Sequence, residues 1–111
     1  MLKKFYRGDT RKIKLKFKDK AGSNLNLSGA TIYLTVKNDI ALDDDQSSFQ
    51  KIITNHSNPL EGETTIIIDP SDTENLKPKK YYYDIQLTDS EGNKSTVIAG
   101  QFELMADVTR S

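Results

Sequence analysis

The sequence contains no cysteine and a single histidine, His56. Without cysteine the chain cannot form a disulfide, a thiolate nucleophile or a cysteine-ligated metal centre, and its redox compartment stays undetermined. One histidine cannot build a histidine cluster, and neither a Gly-x-Ser-x-Gly elbow nor a phosphate-binding glycine loop occurs. We therefore expect no enzymatic activity, no catalytic or metal site and no cofactor, with His56 on a surface loop.

The sequence also lacks a long hydrophobic run and an excess of charge of either sign. No segment approaches the roughly 20 apolar residues of a membrane-spanning helix, and residues 1–6 are not followed by the apolar stretch of about 7 to 15 residues of a signal peptide. Sixteen Lys and Arg residues balance sixteen Asp and Glu residues, so no long-range field attracts nucleic acid or an anionic membrane. We expect a protein made in the cytoplasm, with neither nucleic acid nor membrane among its partners.

The length of 111 residues fits one domain. A domain of this size buries roughly 65% of the surface that its unfolded chain exposes, which suffices for independent folding. Because a second domain has no room, residues 1–111 are expected to form a single domain.

Alternation of apolar and polar residues is the clearest pattern and predicts β-strands along most of the chain. In residues 12–18 lysines alternate with Ile13, Leu15 and Phe17, and a similar alternation begins at Tyr81. A period of two turns one set of side chains toward a core and the other toward solvent, as only a strand does. Further strands are predicted over residues 30–38, 48–54, 63–69, 80–88 and 95–104. This all-β pattern of six or seven strands favours a two-sheet sandwich, with a small barrel as the competitor.

The segments between these strands carry turn and loop signals. Residues 70–76 begin with a capping pattern and are followed by Pro78, which predicts a single helical turn. Glycine weakens strand pairing, so the step at residues 99–100 predicts a bulge. Residues 39–46 include three consecutive aspartates and predict a solvated loop. Three consecutive isoleucines leave the register of residues 66–68 open.

Four lysines at alternate positions are the most prominent charged feature. They would form a stripe roughly 20 Å long at about 3.3 Å per residue, which could follow a phosphate backbone. Outward lysines more commonly keep an exposed strand from pairing with another chain, and no aromatic residue shares their face to stack on a base. We favour that second interpretation and keep the four as candidate interface residues: Lys12, Lys14, Lys16 and Lys18.

Two tyrosines are the other candidate contacts. If Tyr81 and Tyr83 face the core, then Tyr82 faces outward, as does Tyr33 on its own strand. Exposed tyrosines offer a large rigid area with a polar tip, which suits protein interfaces and stacking on sugars. Isolated exposed aromatic residues are also ordinary, so an interface and a plain solvent-facing surface stay equally open for Tyr33 and Tyr82.

Two shorter motifs are best explained structurally. Arg7-Gly8-Asp9 is a tripeptide that some adhesion receptors recognise, but Gly8 permits a bend and favours a turn into the first long strand. Asp39 and residues 43–45 could gather around a calcium ion. Because their spacing differs from that of a calcium-binding loop, no metal site is predicted there.

The order of several short motifs resembles the immunoglobulin-like module of tailed-phage virion proteins, of the baseplate upper protein type. The resemblance covers nearly the whole chain, from Arg7-Gly8-Asp9-Thr10 to Asp107-Val108-Thr109. The motifs between these two are Asp19-Lys20-Ala21-Gly22, the run from Asn26 to Lys37, Asp69-Pro70-Ser71-Asp72-Thr73, Leu76-Lys77-Pro78, the run from Tyr82 to Thr88, Gly92, and Gly100-Gln101-Phe102.

This resemblance implies an immunoglobulin-like or fibronectin type III-like antiparallel β-sandwich of about seven strands. In such sandwiches a tyrosine hydroxyl bonds back to the preceding loop, a role that Tyr81 or Tyr83 would take after Leu76-Lys77-Pro78. It also implies a non-enzymatic structural component of a phage virion, in the tail or baseplate. Such a component docks onto other virion proteins and is a homo-oligomer in the particle.

The alternative function is a carbohydrate or host-surface binding module. In that case Tyr33, Tyr82 and the loop around residues 43–45 would contact the ligand. An enzyme is a remoter third option, because the chain has one histidine and no cysteine.

Overall fold

The computed structural model describes residues 3–19, 21–38 and 49–106. This part of the chain is mostly strand, which confirms the all-β prediction. The strands are β1 (Lys4–Tyr6), β2 (Arg11–Lys16), β3 (Thr31–Lys37), β4 (Phe49–Ile53), β5 (Glu63–Ile68), β6 (Lys80–Thr88) and β7 (Lys94–Met105). One helical turn, α1 (Pro70–Thr73), and one 3₁₀ turn (Pro59–Glu61) lie between strands. Neither helix of the described residues has the length and apolar character needed to cross a membrane.

The strands form two sheets. One sheet has five strands in the order β1-β7-β6-β3-β4, and the other pairs β2 with β5. All pairs are antiparallel except the pair of β1 with β7, which is parallel. The expected antiparallel arrangement therefore needs this one correction. Strand β1 has no sequence signal, because three residues are too few to show alternation.

Both sheets bury their inward side chains in one shared core. The two-stranded sheet contributes Ile13, Leu15, Ile66 and Ile68, while Ile67 points outward and is 41% exposed. The five-stranded sheet contributes Phe5, Ile32, Leu34, Val36, Tyr81, Tyr83, Ile85, Leu87, Phe102 and Leu104. Burying an aliphatic side chain of this size contributes roughly 1.5 to 3 kcal/mol. Burial on one face thus fixes the register of the three isoleucines, which alternation alone leaves open.

Tyr81 ties the start of β6 to the connection that precedes it. Its hydroxyl donates a hydrogen bond to the carbonyl oxygen of Lys77 at 2.7 Å, so of the two predicted tyrosines it is Tyr81 that bonds back to the loop. The ring stacks on Phe102 with 5.7 Å between centroids. Burial raises the pKa of Tyr81, and the bond to Lys77 only partly offsets this.

The predicted bulge at residues 99–100 is wrong. The register shift between β6 and β7 falls instead between Ile85 and Gln86. Gly100 pairs regularly with Tyr83, and a β carbon placed on Gly100 would lie 3.2 Å from atoms of the Tyr83 side chain. The glycine therefore makes room for a neighbouring aromatic side chain rather than interrupting the strand.

The turns at the end of the molecule that contains α1 agree with prediction. The Asp9 N–H donates to the Tyr6 carbonyl oxygen at 3.2 Å, and Gly8 between them has a φ of 82°. Helix α1 is a single turn, and the carboxylate of Asp72 accepts the N–H of Asp69 at 2.7 Å. The predicted solvated loop over residues 39–46 lies outside the described residues, as do Asp39 and residues 43–45.

Three connections meet at the opposite end, which we call the loop end: the described residues of the first (17–19 and 21–30), residues 54–62 and residues 89–93. The Phe17 N–H donates to the Gly62 carbonyl oxygen and the Leu27 N–H donates to the Pro59 carbonyl oxygen, both at 2.9 Å. Gly62 has a φ of 73°, and a β carbon there would lie 2.5 Å from the Phe17 carbonyl oxygen. Only glycine fits this close approach.

Candidate functional site

The six predicted contact residues lie on two opposite faces of the molecule. Tyr33 and Tyr82 point outward from β3 and β6 of the five-stranded sheet. Three lysines point outward from β2 in the other sheet, and the fourth lies just beyond its end: Lys12, Lys14, Lys16 and Lys18. Because the core separates the two sheets, one partner surface cannot contact both groups at once.

We call the outer surface of the five-stranded sheet the tyrosine face. Tyr33 stands opposite Gln86, and Tyr82 stands opposite Lys37. The two tyrosines are thus four residues apart along neighbouring strands, or about 13 Å. The other outward residues nearby are Gln50, Ile52, Thr35, Asp84, Ala99 and Gln101.

A shallow depression of about 330 Å³ lies beside Tyr82 on the tyrosine face. The side chains of Lys37, Asp84 and Gln101 contribute to its lining, and Ala99 leaves space opposite Asp84. The prediction that Tyr82 points outward is confirmed, but its ring is half-buried because strands flank β6 on both sides. An aromatic ring next to an ammonium, a carboxylate and an amide can both stack and form hydrogen bonds.

The outer surface of the two-stranded sheet, the lysine face, is only partly neutralised. Lys16 pairs with Glu63 at 3.9 Å, with both side chains almost half exposed, so the pair adds at most about 1 kcal/mol of stability. Lys12 and Lys14 stand opposite Ile67 and Thr65, and neither makes an ion pair within the described residues. Among the outward lysines of β2, an acidic neighbour therefore offsets Lys16 alone.

His56 lies in a loop, as expected, but it is half-buried and fully bonded. Its Nε2 lies 2.8 Å from the Ala30 carbonyl oxygen, and its Nδ1 lies 2.9 Å from the Thr64 hydroxyl. With the proton on Nε2, the ring donates to Ala30 and accepts from Thr64. His56 therefore joins the connection after β4 to the start of β3 and to β5, and both ring nitrogens are engaged in that structural role.

Lys51 makes a partly buried contact that the sequence does not reveal. It stands opposite Leu34, on the inward side of β4, and its Nζ lies 3.1 Å from Asp69 and 3.0 Å from Asp72. Burial by itself lowers the pKa of Lys51, but the hydrogen bonds to Asp72 and Asp69 outweigh burial and raise it. The cluster links the edge of one sheet to the end of the other.

No protein-family model matches the chain, and no curated protein matches it either. Across the described ranges, no group of three or more histidine, cysteine, aspartate or glutamate residues could hold a metal ion. The tyrosine face and the lysine face are the surfaces on which the predicted contact residues lie.

Proposed function

We propose that the chain is a non-enzymatic interaction module with an immunoglobulin-like β-sandwich fold, and that it serves as a structural component of a phage virion. Its task in the tail or baseplate is to dock onto neighbouring virion proteins and position them. The motif order that runs from Arg7-Gly8-Asp9-Thr10 to Asp107-Val108-Thr109 is the reason for assigning it to a virion. The reasons for the fold and for the docking surface are structural.

Two structural features support the immunoglobulin-like fold. The two sheets share a core, with β2 and β5 in one and β3, β6 and β7 in the other. The hydroxyl of Tyr81 bonds to the backbone four residues upstream, as the corner tyrosine does in such sandwiches. An immunoglobulin-like sandwich would have both features.

The tyrosine face is the surface that supports docking best. It carries Tyr33 and Tyr82 about 13 Å apart, together with Ile52, which is 57% exposed. Half-buried tyrosines lose little side-chain entropy on binding, because their neighbours already restrict them. Tyrosine is also among the residues that contribute most to protein interfaces.

The test uses phage particles assembled with and without the tyrosines. We expect antibodies against the chain to label purified particles at the tail. We expect Tyr33→Ala and Tyr82→Ala together to reduce the incorporated amount at least about tenfold, because each lost anchor costs on the order of 1 to 2 kcal/mol. The measurement is quantitative immunoblotting of purified particles against the total cellular amount.

Tyr6→Ala is the matched control for this experiment. Tyr6 is 48% exposed and lies on β1, at the far edge of the same sheet, so its loss should leave incorporation unchanged. Absence of the protein from particles would refute the virion role. Normal incorporation of the double variant would refute the tyrosine face as the docking surface.

A carbohydrate-binding function is the second candidate. The depression beside Tyr82 combines an aromatic ring with Lys37, Asp84 and Gln101, groups that can stack on a sugar and bond to its hydroxyls. A glycan array tests this directly: reproducible binding that Tyr82→Ala abolishes and Tyr6→Ala leaves intact would favour it. Binding that survives Tyr82→Ala would count against it.

A further inference from the structure

Strand β2 has one side without a strand partner, because the smaller sheet of the described residues contains only β2 and β5. Just beyond β2, the Phe17 N–H donates to the Gly62 carbonyl oxygen on the β5 side. Backbone groups alternate in direction along an antiparallel strand, so the N–H and C=O groups of Lys12, Lys14 and Lys16 face the open side. No strand within the described ranges pairs with them there.

The same three residues carry their side chains on the lysine face. Alternate residues of a strand are about 6.6 Å apart, so the three lysines form a row about 13 Å long beside the open edge. Glu63 pairs with Lys16 at 3.9 Å, while Lys12 and Lys14 make no ion pair within the described part of the chain. The edge therefore combines a row of positive charge with a row of backbone donors and acceptors.

These two rows together specify what the edge of β2 can bind. N–H and C=O groups in alternation match another polypeptide in extended conformation, whereas a phosphate backbone offers only acceptors and leaves the carbonyl oxygens unmatched. Like charges directly opposite each other on neighbouring strands are destabilising, which disfavours β2 of a second copy. Opposite charges at the same positions are favourable, so the lysines select carboxylates.

We propose that the open edge of β2 binds an extended acidic segment of a partner protein, with Asp or Glu at every second position. The segment adds a third, antiparallel strand to the smaller sheet. Its acidic residues lie opposite Lys12, Lys14 and Lys16 and exchange backbone hydrogen bonds with them. Their carboxylates then stand beside the lysine ammonium groups on the lysine face. The backbone bonds supply affinity, and the alternating charges supply specificity.

The lysines of β2 thereby discriminate between partners as well as protecting the edge. They disfavour pairing with basic strands and with a second copy of β2, and they favour an acidic strand. Because Lys16 already has Glu63 as a neighbour, Lys12 and Lys14 should contribute most to the affinity. This binding surface lies on the sheet opposite the tyrosine face and does not depend on the virion role.

Calorimetric titration with a synthetic peptide of about nine residues, in which Glu alternates with Thr, tests this pairing; such a peptide spans β2. We expect binding that Lys12→Gln and Lys14→Gln together weaken about tenfold, because two cross-strand charge pairs are lost. Lys80→Gln and Lys94→Gln together are the matched control. Both residues are exposed on the other sheet, so the loss of charge is the same and binding should change less than about twofold. Circular dichroism checks that both double variants fold.

Two further measurements separate strand pairing from plain charge attraction. A second peptide has the same composition but carries its glutamates in one block. It should bind more weakly, because only alternating glutamates stay on one face of an added strand. The amide protons of Lys12, Lys14 and Lys16 should exchange more slowly with the alternating peptide bound, because the partner backbone then accepts their hydrogen bonds.

Several outcomes would overturn the proposal. These are no binding of the alternating peptide, equal binding of the two peptides, equal losses in the two double variants, and unchanged exchange of the three lysine amides. A single-stranded oligonucleotide that binds more tightly than the peptide, through Lys12 and Lys14, would identify nucleic acid as the partner instead. Tyr33→Ala and Tyr82→Ala together should leave peptide binding intact, so this proposal and the proposed virion function can fail separately.

Discussion

At the scale of single residues, the polar side chains that connect different segments of the fold are partly or wholly buried. His56, Lys51 and Tyr81 each connect segments that are distant in the chain or at a turn, and each has its hydrogen-bonding groups satisfied. A buried polar group costs more when its partner is removed than the bond itself contributes. Substitutions at these residues should therefore affect stability more than those at the exposed lysines.

His56→Ala should destabilise the fold by about 2 to 4 kcal/mol, since the Ala30 carbonyl and the buried Thr64 hydroxyl would each lose a partner. Urea denaturation followed by circular dichroism measures this change. Asn55→Ala is the control, because Asn55 is the exposed neighbour in the same loop and should change stability by less than about 0.5 kcal/mol. Equal stabilities of the two variants would contradict a structural role for His56.

Stability should fall in alkaline solution because of Tyr81 and Lys51. Folding raises the pKa of Tyr81 above 10.0 and that of Lys51 above 10.5. The folded state therefore holds these protons more tightly than the unfolded state, so their stabilisation is complete below about pH 10 and is lost as the pH rises through the folded pKa values. Urea midpoints measured between about pH 8 and pH 11 test this.

Tyr81→Phe separates the contribution of Tyr81 to this pH dependence. The variant should lose about 1 kcal/mol of folding stability at neutral pH, because it lacks the hydrogen bond to Lys77. Its stability should also fall less steeply above pH 10. An unchanged alkaline slope in Tyr81→Phe would show that Tyr81 does not cause the loss.

At the scale of elements, strands with one buried face are predictable from the sequence, and features that depend on neighbouring elements are not. Alternation locates β2, β3 and β6 to within one or two residues. It cannot show that Lys51 points inward, because an ion pair with residues about 20 positions away compensates for the burial. It also misplaces the bulge in β7, because Gly100 makes room for the side chain of Tyr83 on β6 and does not interrupt the strand.

Two glycines of the loop end offer a test of close packing between elements. Gly62→Ala should destabilise by about 1 to 2 kcal/mol for the left-handed backbone and by a further 1 to 3 kcal/mol, roughly, for the clash with Phe17. Gly22→Ala shares the positive φ but has no atom within 4 Å of the new β carbon, so only the first cost applies. Equal losses, measured by thermal unfolding, would show that the loop end can relax.

At the scale of the whole molecule, the candidate surfaces point in different directions. The tyrosine face and the lysine face lie on opposite sides of the core, and the open edge of β2 lies lateral to both. The direction in which Tyr33 and Tyr82 point is predictable from alternation. Alternation does not predict that the lysines belong to the other sheet, because sheet membership depends on pairings between residues far apart in sequence.

The parallel pairing of β1 with β7 has a mechanical consequence. Lys4 lies beside Glu103 and Tyr6 beside Met105, so tension applied before β1 and after β7 pulls on opposite ends of the pair. The two strands would then slide past each other, and their hydrogen bonds would bear the force together rather than one after another. A chain loaded along its length in this way resists extension far better than a hairpin that opens from its tip.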